Sequence, residues 1–255
     1  MLKAILFDIS GVLHVDNHPI RGAVELIQQL RQQKIPLRFV TNTSRSTSEA
    51  ILDSLTRMGF ELTQADIFSA PVAVKQICER RGLRPYCLIH PELEPEFASL
   101  NQQDPNAVVI ADAAERFDYA HLNKAFSLLI NGAPLLGIGR NRYFKTAGSL
   151  QLDAGPFIQA LEYAADTEAE ILGKPAAGFF HAAVDSLGCR PEDVLMIGDD
   201  VEADINGAME AGLQACLVRT GKYLPGDENK AGKAFVADSV VEAVNNVFFQ
   251  SASLV

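Results

Sequence analysis

The chain has 255 residues, 48% of them hydrophobic and 21% charged, which excludes a disordered protein and leaves room for one large domain or two of ordinary size. A formal net charge of −10 excludes general affinity for nucleic acid or an anionic membrane surface, since both need clustered positive charge. No apolar stretch reaches membrane-spanning length, and four scattered cysteines (Cys78, Cys87, Cys189, Cys216) lack the paired spacing of a zinc site, so buried free thiols in a reducing cytoplasm are expected.

From the first residue, apolar runs of strand length alternate with amphipathic runs of helix length, the pattern of a parallel sheet with crossover helices. The fold class is therefore α/β. Lys3 to Phe7 reads as the first strand; Asp8 breaks the apolar run too early for a signal-peptide core, which predicts a cytoplasmic protein. Ala23, Val24, Leu26, Ile27 and Leu30 then recur at helical spacing. Pro36 to Val40 forms a second strand, and a helix from about Thr47 to Met58 follows, with Gly59 as its stop. A middle stretch carries its own strands (Cys87 to Ile89, Ala107 to Ile110, Leu135 to Ile138) and helices (Val72 to Arg81, Tyr119 to Ile130, Phe157 to Ala165). Asp193 to Ile197 then reads as a strand, Glu202 to Glu210 as a helix ended by Gly212, and Ala215 to Val218 as another strand; the tail after Gln250 is expected to fray. The simplest layout is a discontinuous core of residues 1–71 and 172–255 with an inserted α/β domain of residues 72–171.

Four short segments carry the chemistry, three of them where an apolar strand ends, the place where open α/β sheets bind ligands. Asp8 precedes Gly11, whose freedom at positive φ lets the backbone turn over a ligand, and a carboxylate there can attack phosphorus. Thr41 and Asn42 offer a hydroxyl and N–H donors suited to phosphoryl oxygens, although turn chemistry explains them equally well. Lys174, after Ile171-Leu172-Gly173 and before Pro175, can neutralise a nucleophile and a transferring group. Gly198-Asp199-Asp200 closes a strongly apolar strand, with Asp204 one helical turn later. Several carboxylates at one strand end repel unless a cation intervenes, so a hard, oxygen-preferring ion such as Mg2+ is expected. A negatively charged helix N-terminus is the competing explanation of the same acids.

In this order the four segments resemble those of the haloacid dehalogenase (HAD) superfamily, subfamily IIA, phosphatases whose large α/β cap is inserted between the second and third motifs. Asp8-Ile9-Ser10-Gly11-Val12-Leu13 looks most like the phospholysine phosphohistidine inorganic pyrophosphate phosphatases and close relatives. The resemblance implies a Rossmann-like parallel-sheet core with a cap domain. It makes Asp8 the nucleophile and a Mg2+ ligand, with the Ser10 carbonyl and Asp199 as further ligands. Thr41 and Asn42 become phosphate binders, Lys174 the charge-neutralising lysine and Asp204 an orienting partner, while Asp200 stands between outer-shell ligand and helix start. The implied partner is a small phosphorylated substrate or phospho-amino acid, and homodimerisation follows by analogy with the subgroup.

One position departs from that pattern. Most phosphatases of the superfamily carry an acid/base aspartate two residues after the nucleophile, and here that residue is Ser10. A hydroxyl does not readily supply a proton near neutral pH, so substrates with good leaving groups are expected: phosphoramidates, pyrophosphate, and aryl or acyl phosphates. The alternative is a catalytically weak phosphate-binding or regulatory protein of the same fold. Hydrolysis of carbon–halogen bonds through the same aspartate is disfavoured by the acidic cluster, which an uncharged substrate does not need. His14 and Asp16 lie near enough to Asp8 in sequence to replace the missing acid, but a turn role is the simpler reading. His90 and His121 read as surface residues. The basic run Arg140 to Lys145 is either a solvated loop or a selector of anionic substrates.

Overall fold

The structure, a computed structural model, describes residues 2–146 and 149–249, apart from the side chains of Lys145 and Thr146; the tail expected to fray lies outside the described residues. The chain divides into two compact units. Met1–Thr41, Glu49–Phe68 and Lys174–Val255 form the first, and Asn42–Ser48 with Ser69–Gly173 form the second.

The first unit is built on a six-stranded sheet in the order Phe235–Ala237, Gln214–Val218, Val194–Gly198, Ala4–Asp8, Leu37–Thr41, Ile67–Ser69. The pairings from Phe235–Ala237 through Leu37–Thr41 are all parallel. A parallel sheet covered on both faces demands continuous apolar strands, and all five residues of Ala4–Asp8 and of Val194–Gly198 are buried. The first strand sits between Val194–Gly198 and Leu37–Thr41, with Phe7 opposite Ile197 and Asp8 opposite Val40. The chain leaves that strand first to one side and later to the other. This reversal of strand order opens a crevice beyond the carboxyl ends of Ala4–Asp8 and Val194–Gly198.

Helix Ala23–Gln32 buries Ala23, Leu26, Ile27 and Leu30, residues spaced to lie along one face, in the same core as Phe7 and Phe39. The two phenylalanine rings stack at 5.7 Å between centroids. Burying each such side chain contributes about 1.5–3 kcal/mol, so this core rather than helix propensity fixes the strand ends that hold the site.

Three features of this sheet depart from expectation. Ile67–Ser69 and Phe235–Ala237 are a fifth and a sixth strand, each of three residues and too short to announce itself. The segment expected as a helix from Glu202 begins instead as a wide turn, Val201–Asn206, in which Ile205 N–H reaches the Asp200 carbonyl at 3.3 Å; helix Gly207–Glu210 follows.

The second unit holds a four-stranded parallel sheet ordered Glu170–Ile171, Leu135–Gly137, Ala107–Ile110, Pro85–Leu88. Helices Tyr119–Leu129 and Ala154–Ala165 pack Ala125, Leu129, Ile158 and Leu161 with Val108 and Ile110 in its core. Asn42–Ser48 belongs to this unit rather than to the segment 1–71 because Ser48 N–H donates to Glu96 at 2.7 Å and Arg45 pairs with Asp112. The run expected as a basic loop contains strand Tyr143–Thr146, paired antiparallel with Ser149–Leu152. The Lys145 side chain lies outside the described residues. Arg140 is neutralised by a bidentate pair with Glu162 at 2.9 and 2.6 Å.

All four cysteines are free, and burial pushes the thiols of Cys78 to about 11 and of Cys87 and Cys216 to about 12. Among the described residues no helix is long and apolar enough to cross a membrane.

Candidate active site

Residues from four separated segments of the first unit meet at the crevice. Asp8 ends the first strand, Thr41 ends its neighbour, Asp199 follows Val194–Gly198, and Lys174 comes in three residues beyond Glu170–Ile171. Asp8, Lys174, Asp199 and Asp204 are each at most 7% exposed. Lys174 Nζ donates to Asp8 Oδ1 at 2.5 Å and to Asp204 Oδ1 at 2.6 Å. Asp8, Asp199 and Asp204 each bring a carboxylate oxygen within 4.8 Å of the others.

Local sequence explains how so many acids fit. Gly198 can have no side chain, because a Cβ there would lie 2.2 Å from that of Asp204, which folds back over it. Asp204 Oδ2 then accepts the Asp200 N–H at 3.2 Å, leaving Oδ1 for Lys174. Both of its oxygens are thus committed, which suits an orienting role. Gly11 has φ +91°, and a Cβ on it or on Gly221 would come within 2.0 Å of Asp199 Oδ2.

The electrostatics are unbalanced. Three buried carboxylates face one buried ammonium, a surplus of two negative charges when all are ionised. Burial, with Asp204 and Asp199 adding to it against the pull of Lys174, pushes the Asp8 carboxyl up to about 7. Burial likewise raises Asp199 to about 6, opposed by the Lys222 N–H. Burial alone lowers Lys174, yet Asp204 and Asp8 hold it above its ordinary value and keep it charged.

The donor set fits a hard divalent cation. Asp199 Oδ2 accepts the Lys222 N–H at 2.6 Å, whereas its Oδ1 is buried without a hydrogen-bond partner. An orphaned carboxylate oxygen inside a cluster carrying two surplus negative charges is what an oxygen-preferring ion satisfies. Asp8 and Asp199 would hold it, with the Ser10 carbonyl the third expected ligand. Ser10 is exposed and lines a pocket of about 340 Å3 together with Gly11, His14, Asp199 and Lys222.

Thr41 is buried at the end of its strand. Asn42 is assigned to the second unit, so these two neighbours fall on opposite sides of the division. Asp200 caps the wide turn Val201–Asn206: its Oδ1 accepts N–H groups of Glu202 and Ala203 at 3.1 and 3.0 Å. These donors and Lys222, whose Nζ lies 3.3 Å from Asp200 Oδ2, outweigh burial and keep its carboxyl below the usual range. His14 lines the pocket, with Nδ1 2.6 Å from the Asp16 carbonyl oxygen, so it serves the turn. His90 Nδ1 accepts the Glu92 N–H, and His121 Nδ1 bonds Asp118 on the surface.

Sequence reasoning missed the segment Thr220-Gly221-Lys222. Thr220 Oγ1 donates to the Gly11 carbonyl, Gly221 closes against Asp199, and Lys222 supplies the backbone donor to Asp199. The signal was present: these residues follow strand Gln214–Val218, at the same edge as the other site residues.

Known proteins resemble this chain in sequence and fold. A family model described as haloacid dehalogenase-like hydrolase matches residues 5–103, and one described as HAD-hydrolase-like matches residues 171–243. Haloacid dehalogenase-like hydrolase domain-containing protein 2 of Bos taurus is 42% identical over 96% of this chain and 96% of its own. Phospholysine phosphohistidine inorganic pyrophosphate phosphatase of Xenopus laevis is 43% identical over 89% of this chain and 87% of its own. The crystal structure of glycerol phosphate phosphatase from Mycobacterium tuberculosis in complex with magnesium superposes with a TM-score of 0.80 at 23% identity, covering 94% of this chain and 76% of that one.

Proposed function

Because the chain belongs to the haloacid dehalogenase-like hydrolases and is a phosphatase of that family, we propose that it cleaves phosphate bonds with Mg2+ and through an aspartyl phosphate on Asp8. The observation that carries this reading is the buried lysine shared by Asp8 and Asp204, beside an Asp199 oxygen with no partner.

An oxygen of Asp8 forms a bond to phosphorus as the bond to the leaving group breaks, and the leaving group takes the electron pair. Lys174 holds the nucleophile in place and offsets charge gathering on the phosphoryl oxygens. Thr41 and Asn42 orient the phosphoryl group. Bound Mg2+ would add Lewis-acid stabilisation of those oxygens and hold Asp8 ionised. Water then opens the acyl phosphate, releasing inorganic phosphate and restoring Asp8. Asp204 keeps Lys174 aimed throughout.

Substrate preference follows from Ser10. No carboxylic acid stands at that position to protonate a departing alkoxide. General acid–base help is worth about 10² to 10⁴ in rate, so its lack weighs on alkyl and sugar phosphates and little on groups that leave readily. Phosphoramidates such as phosphohistidine or phospholysine, pyrophosphate, and aryl or acyl phosphates are the favoured class. Ser10→Asp should raise turnover of an alkyl phosphate by about 10² to 10⁴ and of an aryl phosphate by much less. Equal gains on both esters, measured side by side, remove the explanation.

Metal binding has a pH signature. The folded-state values of Asp8 and Asp199, about 7 and about 6, lie above the ordinary carboxylate range. Their contribution to stability is therefore complete below about pH 4 and is lost as pH rises through 6 and 7. A cation needs the ionised forms, so Mg2+ compensates most where the loss is complete. At a hundredfold excess over its dissociation constant, Mg2+ should stabilise by about 2.7 kcal/mol at pH 8 and far less at pH 5. Thermal melts at both pH values, with Mg2+ and with a chelator, measure it. A shift of the same size at both would count against ligation by these acids.

A further inference from the structure

The far end of strand Leu37–Thr41 carries a second polar pocket. It measures about 390 Å3, and Arg31, Lys34, Arg38, Asp66, Ser186 and Leu187 are among the residues lining it. Three cations against one carboxylate is unusual in a chain with a formal net charge of −10. One oxygen of that carboxylate is already engaged: Asp66 Oδ2 accepts the Thr63 N–H at 2.7 Å, the Thr63 hydroxyl at 2.8 Å and Arg31 at 2.8 Å.

Arg38 is the informative residue. Its Nε donates to Ser186 Oγ at 3.0 Å, and its two terminal nitrogens donate to the Ser186 and Leu37 carbonyls, each at 2.9 Å. Neutral oxygens fix the plane of the guanidinium without countering its charge. Two of its five N–H groups are left over. Burial holds Arg38 below its ordinary value, only partly offset by Asp66. The Lys34 side chain has no partner among the described residues, and its backbone, whose N–H donates to the Arg31 carbonyl, sits at φ +57°. Favourable interaction with the end of helix Ala23–Gln32 explains cations at Arg31 and Lys34. It does not explain Arg38, which lies on a strand.

We propose that this pocket is a second anion site, taking a small phosphate-type oxyanion through Arg38 and Lys34. The four residue steps from Leu37 to Thr41 separate it from the catalytic end of the strand by roughly 13 Å, so the two sites bind independently. Its volume leaves room for an organic body beside the oxyanion. The proposal does not depend on the substrate assigned to Asp8.

Titration of the full chain with sulfate, and separately with phenylphosphonate, followed by amide chemical shifts, tests it. Saturating shifts are expected at Lys34, Arg38, Ser186 and Leu187. Charge reversal of the exposed Lys34, by Lys34→Glu, should weaken binding there about tenfold, as should Arg38→Gln, while aryl phosphate turnover stays unchanged. Tighter binding of phenylphosphonate than sulfate identifies an organic phosphate as the natural class; equal binding identifies the inorganic ion. The idea is overturned if neither probe saturates those amides across the millimolar range, or if Lys34→Glu binds both as well as the parent.

Discussion

Asp8→Asn is expected to lower phosphate release on every substrate by a factor on the order of 10⁶, the loss typical when a covalent hydrolase is deprived of its nucleophile. The amide keeps the shape and an oxygen that accepts from Lys174, but not the electron pair that attacks phosphorus. Fold stability should not suffer. Asp8 is a buried acid already pushed up to about 7, beside two more carboxylates, so an uncharged group relieves repulsion. Metal-free melting should give a midpoint no lower than the parent's. Phosphate release that survives the substitution, measured on an aryl phosphate with purified protein, would remove Asp8 from the mechanism.

Lys174→Met should damage both activity and stability. Removing one partner of a buried ion pair typically destabilises by about 3–5 kcal/mol, because the other charge is stranded. Here two are stranded, Asp8 and Asp204. Without the ammonium Asp8 favours its protonated form still more, so the deficit in metal-free protein should be larger at pH 8 than at pH 5. Turnover should fall by about 10² to 10³ in protein that remains folded, the usual loss of one electrostatic stabiliser. A variant that loses activity but melts like the parent at both pH values contradicts the buried arrangement described for Lys174.

The strands that position this site were readable because a sheet covered on both faces forces unbroken apolar runs, and Ala4–Asp8 and Val194–Gly198 are such runs. An acid placed immediately after one marks the crevice. What remained hidden was hidden for local reasons. Ile67–Ser69 is three residues long and runs straight into helix Ala70–Arg81, so no period marks it as a strand. The wide turn at Val201–Asn206 depends on Asp200 capping two N–H groups while its carbonyl accepts from both Asp204 and Ile205, an arrangement that residue spacing alone does not distinguish from an ordinary helix. Lys222 acts at the site through its main chain, and a backbone donor leaves no trace in residue type. In the basic run from Arg140, the first charge is answered by Glu162, twenty-two positions away, a pairing that local sequence does not show.

The strap formed by Thr220 and Lys222 reaches back to Gly11 and Asp199, joining residues 209 and 23 positions apart. Ribosomal synthesis releases the amino-terminal strand long before that strap exists. A nascent chain can therefore carry Asp8, Lys174 and Asp199 and still have an unbraced pocket wall. Competence should be acquired abruptly, as the last segments of the sheet emerge, and carboxyl-terminal truncation before Thr220 should yield polypeptide without turnover.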